Sequence, residues 1–270
     1  MRIDVLLVQK GLTKNRSKAK QLIENGQVYV CGVKASKCGL NVCEEDEIEI
    51  RGEINPFVSK GGLKLEKAIS SFLLDFKDKV IVDIGASTGG FTDCAILHGA
   101  SKVYAIDVGK GQLDEKLLND DRVMLYEDTD FRLVDNELIK DADFAIADVS
   151  FISIIKLLPK LCELKFPFLV FLIKPQFECG IKTAKKYKGV IKNKEEHKKV
   201  LQNVLSEFKN SGYYATQLTF SPITGGDGNI EYIAKFEYAS CYDESLNETF
   251  VKVLNLCDVL VEDAFNNFSL

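Results

Sequence analysis

A chain of 270 residues with 46% hydrophobic and 28% charged residues has the composition of a globular protein of one to two domains with a sizeable core. The longest apolar run, Phe166 to Ile173, cannot span a bilayer and Val5-Leu-Leu-Val8 is too short for a secretory leader, so no membrane role and a cytoplasmic location are expected. The net charge of −5 weighs against nucleic acid only until it is located: the last thirty residues hold six acids against Lys252 and account for all of it.

Residues 1–50 read as a small α+β module. Ile3 to Gln9 is a short helix that Gly11 ends, and a second helix runs from Lys18 to Asn25, capped by Ser17 or Asn15 and closed by Gly26. Gln27-Val-Tyr-Val-Cys31 and Glu47-Ile-Glu-Ile50 alternate as strands, with Gly32-Val-Lys34 as a turn. Lys10, Lys14, Arg16, Lys18 and Lys20 stand together without an acid. That is the footprint of phosphate contact, although a solvated helix face has the same composition. The eight cysteines read as reduced thiols. Cys31, Cys38 and Cys43 fit no zinc spacing, and no metal is expected.

Residues 51–58, with Gly52 and Pro56, read as a linker. From Leu65, apolar Ala68, Ile69, Phe72 and Leu73 recur at three and four residues, the pattern of an amphipathic helix. Lys64 falls at the start of that helix, where a cation opposes the dipole. A residue placed against local preference hints at function.

Val80, Ile81, Val82 and Ile84 then form a buried strand that breaks into Gly85, Gly89 and Gly90, with a helical pattern from Phe91. Strand, glycine turn and helix make a nucleotide-type cofactor site at the carboxyl edge of an α/β sheet. Three readings overlap here. Gly85-Ala-Ser87-Thr-Gly89 matches the G-x-S-x-G elbow of α/β hydrolases. It is also a truncated dinucleotide fingerprint, with Ser87 at the second glycine. With Asp83 before the loop and Asp107 closing Val103-Tyr-Ala-Ile106, it is thirdly a class I methyltransferase loop.

Strand–helix alternation continues, with strands at Val103–Asp107, Arg122–Tyr126, Asp143–Asp148 and Phe166–Lys174. It predicts a Rossmann-like α/β fold with a parallel sheet covered on both faces. Asp148 and Lys174 each end an apolar strand, on the edge where Gly85 lies. A lysine-rich segment, 182–199, comes next, and Glu195 to Asn210 is a helix. Tyr213–Phe220 and Ile230–Phe236 form a hairpin whose last strand runs antiparallel and brings Glu231 beside Lys174 and Asp148. The acidic final helix carries an apolar seam that covers the sheet.

Lys64, Asp148, Lys174 and Glu231 together make chemical sense for methylating a ribose hydroxyl. That reaction needs a base, alignment for in-line attack and desolvation. An amine serves as the base only with a depressed pKa, which burial and a second lysine promote and carboxylates oppose.

Three resemblances join these observations. Arg16-Ser-x-Ala-Lys-x-Leu-Ile-x-x-Gly-x-Val-Tyr-Val resembles the S4 RNA-binding domain, in which the basic face of the second helix sits on folded RNA. The order Lys64, Asp148, Lys174, Glu231 is similar to the catalytic tetrad of FtsJ-like ribose 2′-O-methyltransferases. The whole chain resembles the TlyA family of rRNA (cytidine-2′-O)-methyltransferases, also labelled haemolysin A. The matching stretches are Val58-Ser-Lys-Gly-Gly-Leu-Lys64, Asp83-Ile-Gly-Ala-Ser-Thr-Gly-Gly-Phe-Thr-Asp-Cys94, Ala147-Asp-Val-Ser-Phe-Ile-Ser153, Ile173-Lys-Pro-Gln-Phe-Glu178 and Ser221-Pro-Ile-Thr-Gly-x-x-Gly-Asn-x-Glu231.

The resemblance implies S-adenosylmethionine as cofactor and ribosomal RNA, within a subunit or ribosome, as partner; the sequence leaves the oligomeric state open, with a monomer favoured. Its expected cofactor residues are Asp83, Gly85, Ala86, Ser87, Thr88, Gly89, Gly90, Phe91, Asp107, Val108, Asp130 and Asp148. RNA contacts are expected from the N-terminal cluster and from Lys60, Lys182, Lys185, Lys186 and Lys188. One rival is a serine hydrolase using Ser87, Asp148 and His197, against which His197 lies in a lysine-rich, solvated-looking helix. The other is a membrane-active haemolysin, for which the chain offers no inserting segment.

Overall fold

The computed structural model describes residues 1–13, 15–24, 26–51 and 55–269, and for Ser17 and Gln21 the backbone alone. Lys14, Asn25 and Gly52, named above in the basic cluster, the second helix and the linker, lie outside the described residues. The chain forms two compact units, Met1–Pro56 and Phe57–Leu270.

In the first unit, helices α1 (Ile3–Gln9) and α2 (Arg16–Glu24) carry Ile3, Leu6, Leu7, Ala19, Leu22 and Ile23 on facing stripes. They pack with strands β1 (Val28–Val30), β2 (Val33–Lys34) and β3 (Ile48–Ile50), in the antiparallel order β2-β1-β3. Asn15 caps α2 by accepting from Lys18 N at 2.8 Å. Val33 and Lys34, expected in a turn, form a short strand instead. The turn is Cys31-Gly32, with φ of 48° and 79°, the two-residue hairpin geometry that matches strand twist.

The second unit opens with Phe57 and Val58. Both were expected in the linker, but both are buried here, and Val58 N donates to Asp93 Oδ2 at 2.8 Å. Helix α3 (Gly61–Phe72) begins four residues before the apolar periodicity does, so Lys64 lies inside its first turn and is buried. There follow β4 (Val80–Ile84), α4 (Gly90–Leu97), β5 (Lys102–Ile106), α5 (Glu115–Leu118), β6 (Val123–Tyr126), β7 (Phe144–Ala147), α6 (Leu158–Leu164) and β8 (Phe168–Ile173). The chain ends with α7 (Pro175–Glu178), α8 (Gly180–Lys186), α9 (Lys194–Asn210), β9 (Tyr213–Phe220), β10 (Tyr232–Tyr238) and α10 (Glu244–Phe268).

Seven strands form one sheet in the order β6-β5-β4-β7-β8-β10-β9. The first five are parallel, and β10 enters between β8 and β9 antiparallel to both. Period-two alternation divides the core between the two faces. Ile81, Phe144, Ile146, Val170 and Leu172 face the layer of α3 and α4. Val82, Ala145, Ala147, Leu169 and Phe171 face the other, where Val204, Phe208, Val253 and Cys257 pack. Each large side chain of this kind contributes about 1.5–3 kcal/mol of burial. The final helix covers α9 and β9 with Phe250, Val253, Cys257, Val261 and Ala264.

From β4 the chain winds outward through β5 and β6 on one side, while β7 and β8 build the other. The carboxyl ends of β4 and β7 therefore flank the switch point, where ligands bind in such sheets.

Candidate active site

The loop after β4 is tied down where it enters α4 by two adjacent glycines, one for its backbone and one for the space it leaves. Gly89 has φ of 91°, and a Cβ there would stand 2.2 Å from Leu117 Cδ1. A Cβ on Gly90 would stand 2.3 Å from Ser59 Oγ, because the starts of α3 and α4 meet there. Asp107, just past β5, accepts from Ser87 N at 2.8 Å and from Gly109 N at 2.6 Å, so its carboxylate shapes this loop and its own.

Asp83, the penultimate residue of β4, is wholly buried. Its Oδ2 accepts from Thr92 Oγ1 at 2.6 Å, and its Oδ1 has no partner among the described residues. Burial pushes the carboxyl up to about 7, against the lowering pull of Thr92. A buried, half-satisfied carboxyl beside a glycine loop fits a ligand carrying a cationic donor.

A cavity of about 530 Å³ opens at the end of β4, lined by Gly85, Asp107, Val108, Asp130, Phe131 and Val149, while Asp83 itself lies behind the lining of both cavities. Its apolar walls and flanking carboxylates suit a flat heterocycle joined to a hydroxyl-bearing sugar. Asp130 is itself paired with Arg132 at 2.5 Å, which holds it below the usual carboxylate range. Ala86, Thr88 and Phe91 line the neighbouring cavity rather than this one.

That second cavity, about 960 Å³, is lined by a chain of four charged groups, Lys64 from α3 and Asp148, Lys174 and Glu231 from the positions adjoining β7, β8 and β10. Glu231 Oε2 lies 2.6 Å from Lys64 Nζ, which lies 3.5 Å from Asp148 Oδ2, and Asp148 Oδ1 lies 2.6 Å from Lys174 Nζ. Lys174 also donates to Ser150 Oγ at 2.9 Å. Burial works against the charge on Lys64, but Asp148 and Glu231 outweigh it and raise its pKa, so this amine stays protonated. Burial works likewise against Asp148, yet the two lysines keep it below the usual carboxylate range. Gly85, Ser87, Asp148, Ser150 and Phe151 border both cavities, so the two meet at Asp148.

Ser150 and Phe151 were not singled out from sequence, although both come just after Asp148. Phe151 is 92% exposed with φ of 64°, and its ring lies 5.3 Å from that of Phe177. An exposed aromatic in a strained backbone is a functional signal that sequence does not carry.

The hydrolase triad is not assembled. His197 is fully buried rather than solvated, because α9 turns it inward against Phe265. Its Nδ1 pairs with Tyr232 Oη at 2.8 Å and its Nε2 with Ile191 O at 2.9 Å, while Asp148 binds lysines.

The basic clusters divide. Lys60 lines the larger cavity; Lys182, Lys185, Lys186 and Lys188 belong to α8 and the turn after it, where Ala184 and Gly189 also line that cavity. Lys194 and Lys198 instead pair with Glu262 of α10. In the first unit Arg16 bonds buried Asp4 at 2.8 Å, Lys10 donates to Asp46 O, Lys18 to Asn55 O, and Lys20 lies 3.7 Å from Glu24. Arg16 is therefore partly a structural residue.

The pattern of the FtsJ-like methyltransferase family matches residues 57–238, and that of the S4 domain residues 1–48. The chain is an FtsJ-like methyltransferase with an S4 domain. The cofactor of this family is S-adenosylmethionine, which the orphaned Asp83 oxygen, the glycine loop and the smaller cavity fit.

Relatives narrow the family. The chain is 43% identical to Hemolysin A of Brachyspira hyodysenteriae over 87% of this chain and 99% of that one. It is 35% identical to the 16S/23S rRNA (cytidine-2′-O)-methyltransferase TlyA of Mycobacterium tuberculosis, over 86% and 87%. The chain belongs with the TlyA family. A solved structure named as a hemolysin from Streptococcus thermophilus is 37% identical and superposes with a TM-score of 0.77, covering 100% of this chain and 97% of that one. Among the described residues no helix is long and apolar enough to cross a membrane.

Proposed function

We propose that this methyltransferase acts on the ribose 2′-hydroxyl of cytidine in ribosomal RNA, as a cytoplasmic monomer working on a ribosomal subunit or ribosome. The observation that carries this reading is the buried series Glu231–Lys64–Asp148–Lys174 at the junction of two cavities. The naming of the TlyA relative supports the choice of substrate.

Bound S-adenosylmethionine supplies an electrophilic methyl group. Asp83, the loop from Gly85 to Phe91, Asp107, Val108 and Asp130 are the residues that would hold it, Asp107 toward the ribose. Lys64 keeps its proton between two carboxylates and so serves as a fixed cation rather than a base. Asp148 bridges the lysines and sets their separation. Lys174 faces the larger cavity and, as the free amine, takes the proton of the hydroxyl. Ser150 accepts from Lys174 and fixes its direction. The S4 lysines, with Lys60 and the α8 lysines, contribute phosphate contacts.

Incubation of the protein with labelled S-adenosylmethionine and rRNA, naked or in subunits, followed by digestion to nucleosides, tests this. The label should appear in 2′-O-methylcytidine. Label on a base, or none with any ribosomal substrate, would overturn the reading.

A further inference from the structure

We propose that Glu66, Cys94 and His98 form a binding site for one ion of the Zn2+ class, linking α3 to α4. The three residues lie outside both cavities. Cys94 and His98 stand four apart, one on α4 and one at its end, so their side chains leave the helix on the same side. Glu66 comes from α3, which packs along α4.

One donor atom from each residue lies within 4.8 Å of the others. Cys94 Sγ is 3.8 Å from Glu66 Oε2, and His98 Nε2 is 2.6 Å from the same oxygen. In a tetrahedral zinc site, with bonds of about 2.3 Å to sulfur and about 2.0–2.2 Å to nitrogen and oxygen, a sulfur and an oxygen stand ~3.6 Å apart and a nitrogen and an oxygen ~3.3 Å. The sulfur–oxygen spacing is already met, and the imidazole must retreat by less than ~1 Å. Cys94 is buried while Glu66 and His98 are partly exposed, so the sulfur is shielded and a fourth position opens to water.

The donor set selects the metal. One thiolate, one imidazole and one carboxylate suit Zn2+, whereas Mg2+ and Ca2+ require a shell of oxygens. On binding, the thiol proton leaves to solvent and a sulfur–metal bond replaces the S–H. The His98–Glu66 contact opens as both turn to the ion. The consequence is mechanical: a cross-link between the helix that begins at Gly61 and the one that continues the glycine loop from Gly90.

The full chain, stripped with a chelator and titrated with Zn2+ against a chromophoric competitor, decides the matter. One ion should bind per chain, with no competition from Mg2+. His98→Ala and Glu66→Gln should each weaken binding by more than about tenfold, since loss of a ligand exceeds the effect of losing an outer-shell partner. Co2+ should bind with a thiolate charge-transfer band that Cys94→Ala abolishes. Because Cys94 is buried, S-adenosylmethionine affinity reports whether that variant folds, and His98→Ala provides the same reading at a partly exposed position. Zn2+ affinity unchanged in His98→Ala, or a thiolate band surviving in Cys94→Ala and absent in Cys31→Ala or Cys43→Ala, would overturn the proposal. The trio would then be a hydrogen-bonded cluster only.

Discussion

Glu231 Oε2 stands 2.6 Å from Lys64 Nζ across 167 positions of sequence, and both side chains are buried. Removing one partner of a buried pair leaves an uncompensated charge, at about 3–5 kcal/mol. Lys64 keeps Asp148 at 3.5 Å, so Glu231→Ala should lower the unfolding free energy, read from urea unfolding, by at most an amount of that order. Glu231→Gln keeps the shape and loses the charge, and should cut turnover roughly 10²-fold through misplacement of Lys64. Turnover of Glu231→Gln within a few-fold of wild type would remove Glu231 from the machinery.

Lys174 carries the base assignment. Lys174→Ala should reduce methyl transfer by about 10²–10⁴ with cofactor affinity nearly unchanged. Arginine should not rescue, because a guanidinium keeps its proton at working pH. A Lys174→Arg enzyme of near-normal turnover would mean that only positive charge is required there.

Asp107 holds Ser87 N and Gly109 N at once, so its loss frees two loops as well as removing a ligand partner. Calorimetry of Asp107→Ala should show S-adenosylmethionine binding weakened by about 1–3 kcal/mol. Unaltered affinity would place the ribose elsewhere.

Asp83 makes the cofactor-free fold sensitive to pH. Its carboxyl ionises near 3.8 when unfolded and at about 7 in the fold. Between those values the fold holds a proton that the unfolded chain has released. Stability is therefore fully present below the lower value and declines as pH rises through the upper one, by up to about 1.4 kcal/mol per pH unit. Asp83→Asn should flatten the decline, as measured by urea unfolding at a series of pH values. A parallel decline in the variant would assign it to another group.

In the S4 unit, Arg16 and the lysines should behave differently. Lys10→Ala with Lys20→Ala should weaken RNA binding without lowering the melting temperature. The salt slope should fall by up to about 0.7–0.9 for each phosphate that is no longer neutralised. Arg16→Ala should also destabilise the unit, because Arg2 and Arg16 hold buried Asp4 down to about 2. An identical salt slope in the double variant would reduce the cluster to a solvated face.

Sequence order by itself determined the class of the fold and the edge on which chemistry occurs. Parallel strands read as apolar runs, and the residue that ends each run necessarily lies at one edge of the sheet; Gly85, Asp107, Asp148 and Lys174 were legible for that reason. Helix α8 was not legible, because it buries no side chain and so has no apolar stripe. The burial of His197 was hidden because its neighbours in sequence are charged, whereas its neighbours in space are Tyr232 and Phe265. Only the tertiary structure decided which charges pair: that Lys64 is held by two carboxylates, that Arg16 serves Asp4, and that Lys194 and Lys198 answer Glu262 of the acidic helix. Periodicity reports which face of an element is apolar. Ion pairs depend on distances of a few ångströms between elements far apart in the chain, and these exist only once β10 has entered beside β8 and α3 has packed over the sheet.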